Sequence, residues 1–171
     1  MPIDQELLRQ FAEDGSEAAF AEVVRRQVDF VHSTARRLAA QDAHLAEDIT
    51  QRVFADMARK ARALSRHPSL TGWLHHCTRY NALTTIRAEQ RRRAREQKAF
   101  AMQDLTVPPA EISWEQVCPM LDAAIAQLNS TDREVVLQRF FQGKNHREIG
   151  NALGLCENSA NKRIERALEK L

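Results

Sequence analysis

The stretch HREIGNALGLCENSANKRIERALEKL, residues 146–171, carries two helical patterns that meet across a glycine. Before the break, Ile149, Ala152 and Leu153 fall at i, i+3 and i+4. After it, Ala160, Ile164, Ala167, Leu168 and Leu171 keep the rhythm of one apolar helix face. Asn145 suits an N-cap, and Glu148 three residues on completes a capping box. Gly154 suits the left-handed residue that ends a helix. Two short helices joined only by Gly154, Leu155 and Cys156 form a helix-turn-helix, whose second helix can lie in a DNA major groove. Its outward residues are Asn158, Ser159, Asn161, Lys162, Arg163 and Arg166, a set able to meet base edges and phosphates. An ordinary helical hairpin with a solvated face has the same pattern. The second helix region holds four basic side chains against three acidic ones, a mild cationic excess, so the rest of the chain has to decide.

Working back from this stretch, nearly every apolar segment keeps helical spacing. With five glycines and no run of alternating β-branched residues, the 171-residue chain reads as all-α. An apolar content of 43% suffices for a core, and 28% charged residues suits a water-facing protein. A short helix is expected over Asp4–Glu13, stopped by Gly15. Ser16 caps a second helix, with Phe20, Val24, Val28, Val31, Ala35 and Leu38 inward. A third runs from Ala43 to Leu64 on Leu45, Ile49, Val53, Met57, Ala61 and Leu64. Pro68 and Ser69 open a fourth, with Leu70, Trp73, Leu74 and Cys77 inward, continuing into RAEQRRRAREQK.

Periodicity fades through AMQDLTVPPAEIS, where Pro108-Pro109 favours extended chain. Residues 97–113 therefore read as a flexible, protease-sensitive linker between a domain at 1–96 and another at 114–171. Helical spacing resumes at Trp114, Val117, Leu121, Ile125 and Leu128. In the following NSTDREVVLQRFFQG, Thr131 and Glu134 are expected to form a capping box, and Gly143 to end the helix.

The net charge of +2 is unevenly spread. Residues 71–98 carry seven basic and two acidic side chains, whereas 99–129 carry four acidic and no basic ones. One basic stretch in a near-neutral chain points to a localised polyanion contact. Cys77, Cys118 and Cys156 are too few and too scattered for a disulfide framework, so reduced cytoplasmic thiols are expected. Adjacent His75 and His76 diverge by about 100° on a helix and have no second ligand pair, so no metal is expected. No cofactor motif, catalytic constellation, signal peptide or membrane span is read from the chain.

Three blocks then carry a resemblance. AEDITQRVFADMARK (46–60) resembles the AEDLVQETFLRAWR signature by which extracytoplasmic-function (ECF) sigma factors of the sigma-70 superfamily bind polymerase core. LTGWLHHCTRYNALTTIRAEQRRRARE (70–96) resembles the family's F..WL..IARN...D..RR segment, which reads and opens the promoter minus-ten element. Residues 128–171 resemble the domain that reads the minus-thirty-five element. The resemblance implies a promoter-specificity subunit rather than an enzyme. Its partners would be the coiled coil on the largest subunit of bacterial RNA polymerase core, promoter DNA and an anti-sigma protein.

Carried over by position, Asp48, Gln51, Arg52 and the edge of Phe54 would face polymerase. Trp73, Arg79, Tyr80, Asn81, Arg87 and Arg91 would meet the minus-ten element, by the aromatic stacking and basic grooves that hold single strands. Asn158, Ser159, Asn161, Lys162, Arg163 and Arg166 would meet the minus-thirty-five element. The sequence departs from the family at Arg52 (usually acidic), Tyr80 (often Asn), Thr84 (often Asp), Ala160-Asn161 (often Val-Lys) and Cys156 (usually Ser or Thr). Two rival readings are a stand-alone dimeric helix-turn-helix regulator and a helical adaptor that binds only proteins. The 46–60 block counts against the first, and the arginines of 87–98 against the second.

Overall fold

The computed structural model describes residues 3–67, 69–99 and 114–171. Among these residues the secondary structure is helical throughout: α1 (Ile3–Asp14), α2 (Glu17–Leu38), α3 (Ala43–Leu64), α4 (Leu70–Ala99), α5 (Trp114–Gln127), α6 (Ser130–Val136), a π-helical segment (Leu137–Phe141), α7 (His146–Leu153) and α8 (Glu157–Leu168). The expected linker lies outside the described residues at 100–113, and its first three positions close α4.

The first four helices form a bundle around α2, which touches α1, α3 and α4. Ser16 caps α2 by accepting the Ala19 N–H, and Asp42 caps α3 by accepting the Leu45 N–H. Val23, Val31, Ala35, Ile49, Val53, Met57 and Leu74 are fully buried; each larger side chain contributes roughly 1.5–3 kcal/mol by leaving water. The buried face of α3 follows the expected stripe. That of α2 is turned by about one residue: Ala19, Val23, Gln27 and Phe30 point inward, while Phe20, Val24 and Val28 are half-buried. The cause is polar. Gln27 is buried because its amide donates to Asp4 of α1 at 2.7 Å and its carbonyl accepts from Gln142 at 3.1 Å.

Ala82 is the last buried residue among the described side chains of α4; Thr85 and Ile86 are half-buried beyond it, and Arg87, Arg91 and Arg92 are exposed. The start of α4 is held by Ser69, whose Oγ accepts the Gly72 N–H at 3.1 Å.

In the second domain, α6 and α7 pack on α8, and α5 reaches both α6 and α2. The capping box expected from Thr131 and Glu134 does not form. Asn129 caps α6 instead, accepting the Asp132 N–H at 2.8 Å, and Glu134 is buried facing α4. The neighbouring N-cap matches expectation: Asn145 and Glu148 form a reciprocal box on α7. Gly154 follows α7 at φ 68°, a left-handed conformation that glycine adopts without a Cβ penalty.

Cys156 occupies the N-cap of α8 but makes no capping hydrogen bond to the backbone. A serine there is expected to add about 1 kcal/mol of stability. Cys156→Ser should therefore raise the Tm of the second domain by about 4–8 °C, measured by thermal melting followed by circular dichroism.

Candidate polymerase and promoter-binding surfaces

Helix α3 turns one face to the core and the opposite one to water. Asp48, Gln51 and Arg52 all lie on the exposed side. Arg52 is partly committed, since its Nη1 donates to Thr85 Oγ1 of α4 at 3.1 Å. Phe54 sits within the core at 9% exposure, so it offers a partner only its rim. The face thus presents one carboxylate, one amide and one tethered guanidinium beside an aromatic edge.

Below this face, Asp56 joins α3 to α4. It accepts from Arg59 at 2.5 Å, Asn81 at 3.4 Å and Cys77 at 3.7 Å. Burial pushes its carboxyl upward, but the hydrogen bonds from Arg59 and Asn81 outweigh this and hold it below the ordinary carboxylate range. The Cys77 thiol is pushed up to about 11 by burial and by Asp56, so it stays protonated and unreactive. Asn81 also donates to the Cys77 carbonyl at 3.0 Å. Its NH2 group thus braces α4 against α3.

The remaining α4 residues separate by helical phase. At about 100° per residue, positions 73, 80, 87 and 91 share one side of the helix within roughly 40°. Trp73 is half-buried at the bundle end of this stripe, Tyr80 is 65% exposed, and Arg87 and Arg91 are exposed beyond it. Arg91 is steadied by donating to the Arg87 carbonyl at 3.2 Å. An aromatic followed by two cations on one solvent-facing stripe is the arrangement that binds a single strand by stacking and charge. Arg79 is half-buried and points to another side.

Helix α8 buries Ala160, Ile164 and Ala167 against its own domain and exposes Asn158, Ser159, Lys162 and Arg166. Asn161 donates to Glu165 at 3.0 Å. Arg163 leans back 3.6 Å from Asp132, which also receives Lys170 at 2.6 Å. It is less available than Arg166. At the start of α8, the Ser159 hydroxyl, 3.0 Å away, draws the exposed Cys156 thiol below its ordinary range.

Sequence reasoning missed a set of polar groups between the two domains. Glu134 of α6 is 3% exposed, and its carboxylate accepts the Gly72 N–H at 2.9 Å and the Ser69 hydroxyl. Asp122 of α5, 1% exposed, accepts from His75 Nε2 at 2.9 Å and from Arg37 at 3.3 Å. Burial raises the Asp122 carboxyl, but His75 and Arg37 hold it below the ordinary range, so it is ionised at neutral pH. Arg37 also lies 4.6 Å from the ring centroid of Phe141, which meets Phe30 edge-on at 6.4 Å. One sequence signal was available: Gly72 lies inside a helix, where glycine costs about 1 kcal/mol relative to alanine and implies a packing reason.

Among the described residues, no three His, Cys, Asp or Glu side chains are grouped to hold a metal, and no helix is long and apolar enough to cross a membrane.

A helical bundle bearing a basic, aromatic-led arm, followed by a helix-turn-helix, defines a two-part DNA-binding protein. The sequence comparisons make it specific. Residues 23–92 match Sigma-70 region 2, and residues 119–171 match Sigma-70, region 4. The chain belongs to the sigma-70 family and is of its ECF type. It is a sigma factor for transcription initiation, with RNA polymerase core and DNA as its partners. Two solved structures are similar. CnrH, in complex with the cytosolic domain of CnrY, shares 20% identity at a TM-score of 0.44, over 99% of this chain and 94% of that one. The sigma factor RpoE of Bartonella quintana, in complex with the anti-sigma factor NepR, shares 16% identity at a TM-score of 0.42, over 88% and 92%.

Proposed function

We propose a division of labour within this sigma factor. Residues 1–96 grip polymerase core through Asp48, Gln51, Arg52 and the rim of Phe54. The same domain engages the minus-ten element along the Trp73–Tyr80–Arg87–Arg91 stripe, with Arg79 and Asn81 at its flank. Residues 114–171 read the minus-thirty-five element through α8, and 97–113 tether the two. Polymerase supplies the catalysis, and this chain acts in the cytoplasm as a specificity subunit without chemistry of its own. An anti-sigma protein completes the proposed partner set.

One observation carries the reading. The α3 face and the Tyr80–Arg87–Arg91 part of the α4 stripe are exposed on adjoining helices of one bundle, so a single docking event can place the arm against opened DNA. Tethering then makes the second DNA contact intramolecular, which turns two weak contacts into a selective one. Reversing charge with Asp48→Lys should reduce co-purification with core polymerase at least tenfold while leaving the circular dichroism spectrum unchanged. A folded wild-type chain that never associates with core would sink the reading.

The reader helix separates base from phosphate contacts. Asn158, Ser159, Asn161 and Lys162 are assigned mainly to base edges, and Arg163 and Arg166 mainly to phosphates. Asn161→Ala should shift sequence preference, with a loss of roughly 1–3 kcal/mol on the preferred site. Arg166→Ala should weaken all sequences alike and reduce the salt slope by about one unit. Binding to a promoter library at several salt concentrations resolves the two effects. If neither substitution changes affinity or preference while the fold holds, α8 is not the reader.

A further inference from the structure

From the packing of α8 on α6 we infer that Asp132 is an internal competitor of DNA phosphates. It engages two of the four cations of the reader segment and so limits the grip of that segment on DNA of any sequence. The inference rests on the reading of α8 as a DNA reader, and every group it uses belongs to the second domain.

The acid is built into the edge of the core. Asp132 lies in the first turn of α6 and is 4% exposed. Its carboxylate accepts from the Asn129 amide at 2.8 Å and from Lys170 Nζ at 2.6 Å, and Arg163 Nη1 stands 3.6 Å away. Burial raises the carboxyl, but Lys170, Asn129 and Arg163 outweigh this and hold it below the ordinary range, so it is charged at neutral pH. The adjacent Arg133 does not serve it. That guanidinium donates to the carbonyls of Ile125, Ala126 and Leu128, at 3.2, 2.7 and 2.7 Å. Among the described residues, Asp132 forms its ion pairs with the reader segment alone.

Helical phase decides which cations are engaged. The segment from Glu157 onward has four: Lys162, Arg163, Arg166 and Lys170. Arg163 and Lys170 are seven residues apart, two turns along one edge of the helix. That edge flanks the buried Ile164 and Ala167 and meets α6. Arg166 lies about 60° farther round, and Lys162 about 100° from Arg163 on the outward side. Both are exposed, and neither enters an ion pair among the described residues. The segment thus divides into two free cations and two engaged ones.

A cation that neutralises a phosphate releases counterions and adds about 0.9 to the salt slope, whatever the base sequence. Arg163 and Lys170 do so only by leaving Asp132, and that exchange strips a buried carboxylate of a partner, which costs free energy. Binding to DNA in general is weakened, while the outward polar residues Asn158, Ser159 and Asn161 are unaffected. The restraint keeps the free chain from being held on bulk DNA before polymerase captures it.

The test is binding of the full chain, by fluorescence anisotropy at several salt concentrations, to a duplex selected from a promoter library and to a scrambled one. Asp132→Asn keeps the size of the side chain and an acceptor for Lys170 but removes the charge. It should bind both duplexes more tightly, steepen both salt slopes by about one to two units, and leave the ratio of the two affinities unchanged. Adding Arg163→Ala should remove at least half of that gain. A merely structural role has the opposite signs, because a loosened α8 binds more weakly and loses its preference. Where Asp132→Asn loses helicity, the single exchanges decide: Arg163→Ala should flatten the slope less than half as much as Arg166→Ala. A helical Asp132→Asn chain that binds the scrambled duplex no more tightly than wild type overturns the inference, as does equal flattening by the two arginine exchanges. A wild type without sequence preference defeats the reader-helix reading and the inference with it, so the two failures are told apart.

Discussion

Ile164→Asp is expected to unfold the second domain while the first stays helical. Ile164 is 4% exposed on the inner face of α8, between the buried Ala160 and Ala167. A carboxylate there has no cation within its own helix face and would enter the core unpaired. The penalty is on the order of 5 kcal/mol, comparable with the roughly 3–9 kcal/mol that holds a domain of this size together. Hydrogen exchange should show amides of α6, α7 and α8 losing protection while those of α2 and α3 keep it. Minus-thirty-five binding should vanish, and capture by core polymerase should persist. Full protection across α8 in the variant would mean that this face is not the one holding the domain together.

The second large effect is expected at Gly150. This residue is buried in α7, and a Cβ placed on it would lie 2.6 Å from the Leu155 carbonyl oxygen. The obstacle is backbone, not a side chain that can swing aside. The same carbonyl region is pinned, because the Leu155 N–H donates to the Gly150 carbonyl at 2.8 Å. Gly150→Ala must therefore push α7 away from the turn, at a cost of roughly 1–3 kcal/mol, and tilt α8 on its support. Chemical denaturation should show the lost stability, and binding to a minus-thirty-five duplex should fall even where the domain remains folded. Asn151→Ala, one residue on and exposed, is the matched control and should change neither.

How much of this was readable beforehand depended on distance along the chain. The limits of α3 and the start of α5 followed from periodicity alone, and the Asn145–Glu148 box from residues three apart. Local physics decides such features. The exposure of Asp48, Gln51 and Arg52 was equally legible, because phase along one helix fixes it once the apolar stripe is known. The register of α2 was not, since Gln27 is buried by partners 23 and 115 residues away. Glu134 was misread for the same reason. At three residues from Thr131 it completes a local motif, but its actual partners, Ser69 and Gly72, lie 65 and 62 residues back. Asn81 is a related case: its amide bonds to Asp56, 25 residues back on another helix, a contact that no local pattern announces.

The π-helical segment at Leu137–Phe141 lets one continuous stretch of chain keep two different angular accounts. Up to Leu137 the side chains follow the phase of α6, and Val135, Val136 and Leu137 fill their own domain's core. The Gln142 N–H then bonds to the Leu137 carbonyl, five residues back instead of four, so every later position is retarded by most of a residue's rotation. That slip aims Phe141 at Phe30 and Arg37, and Gln142 at Gln27 and Thr71. In an unbroken α-helix the same two side chains would point elsewhere. The inserted residue is a phase shifter, and through it a helix devoted to one core also serves a neighbour.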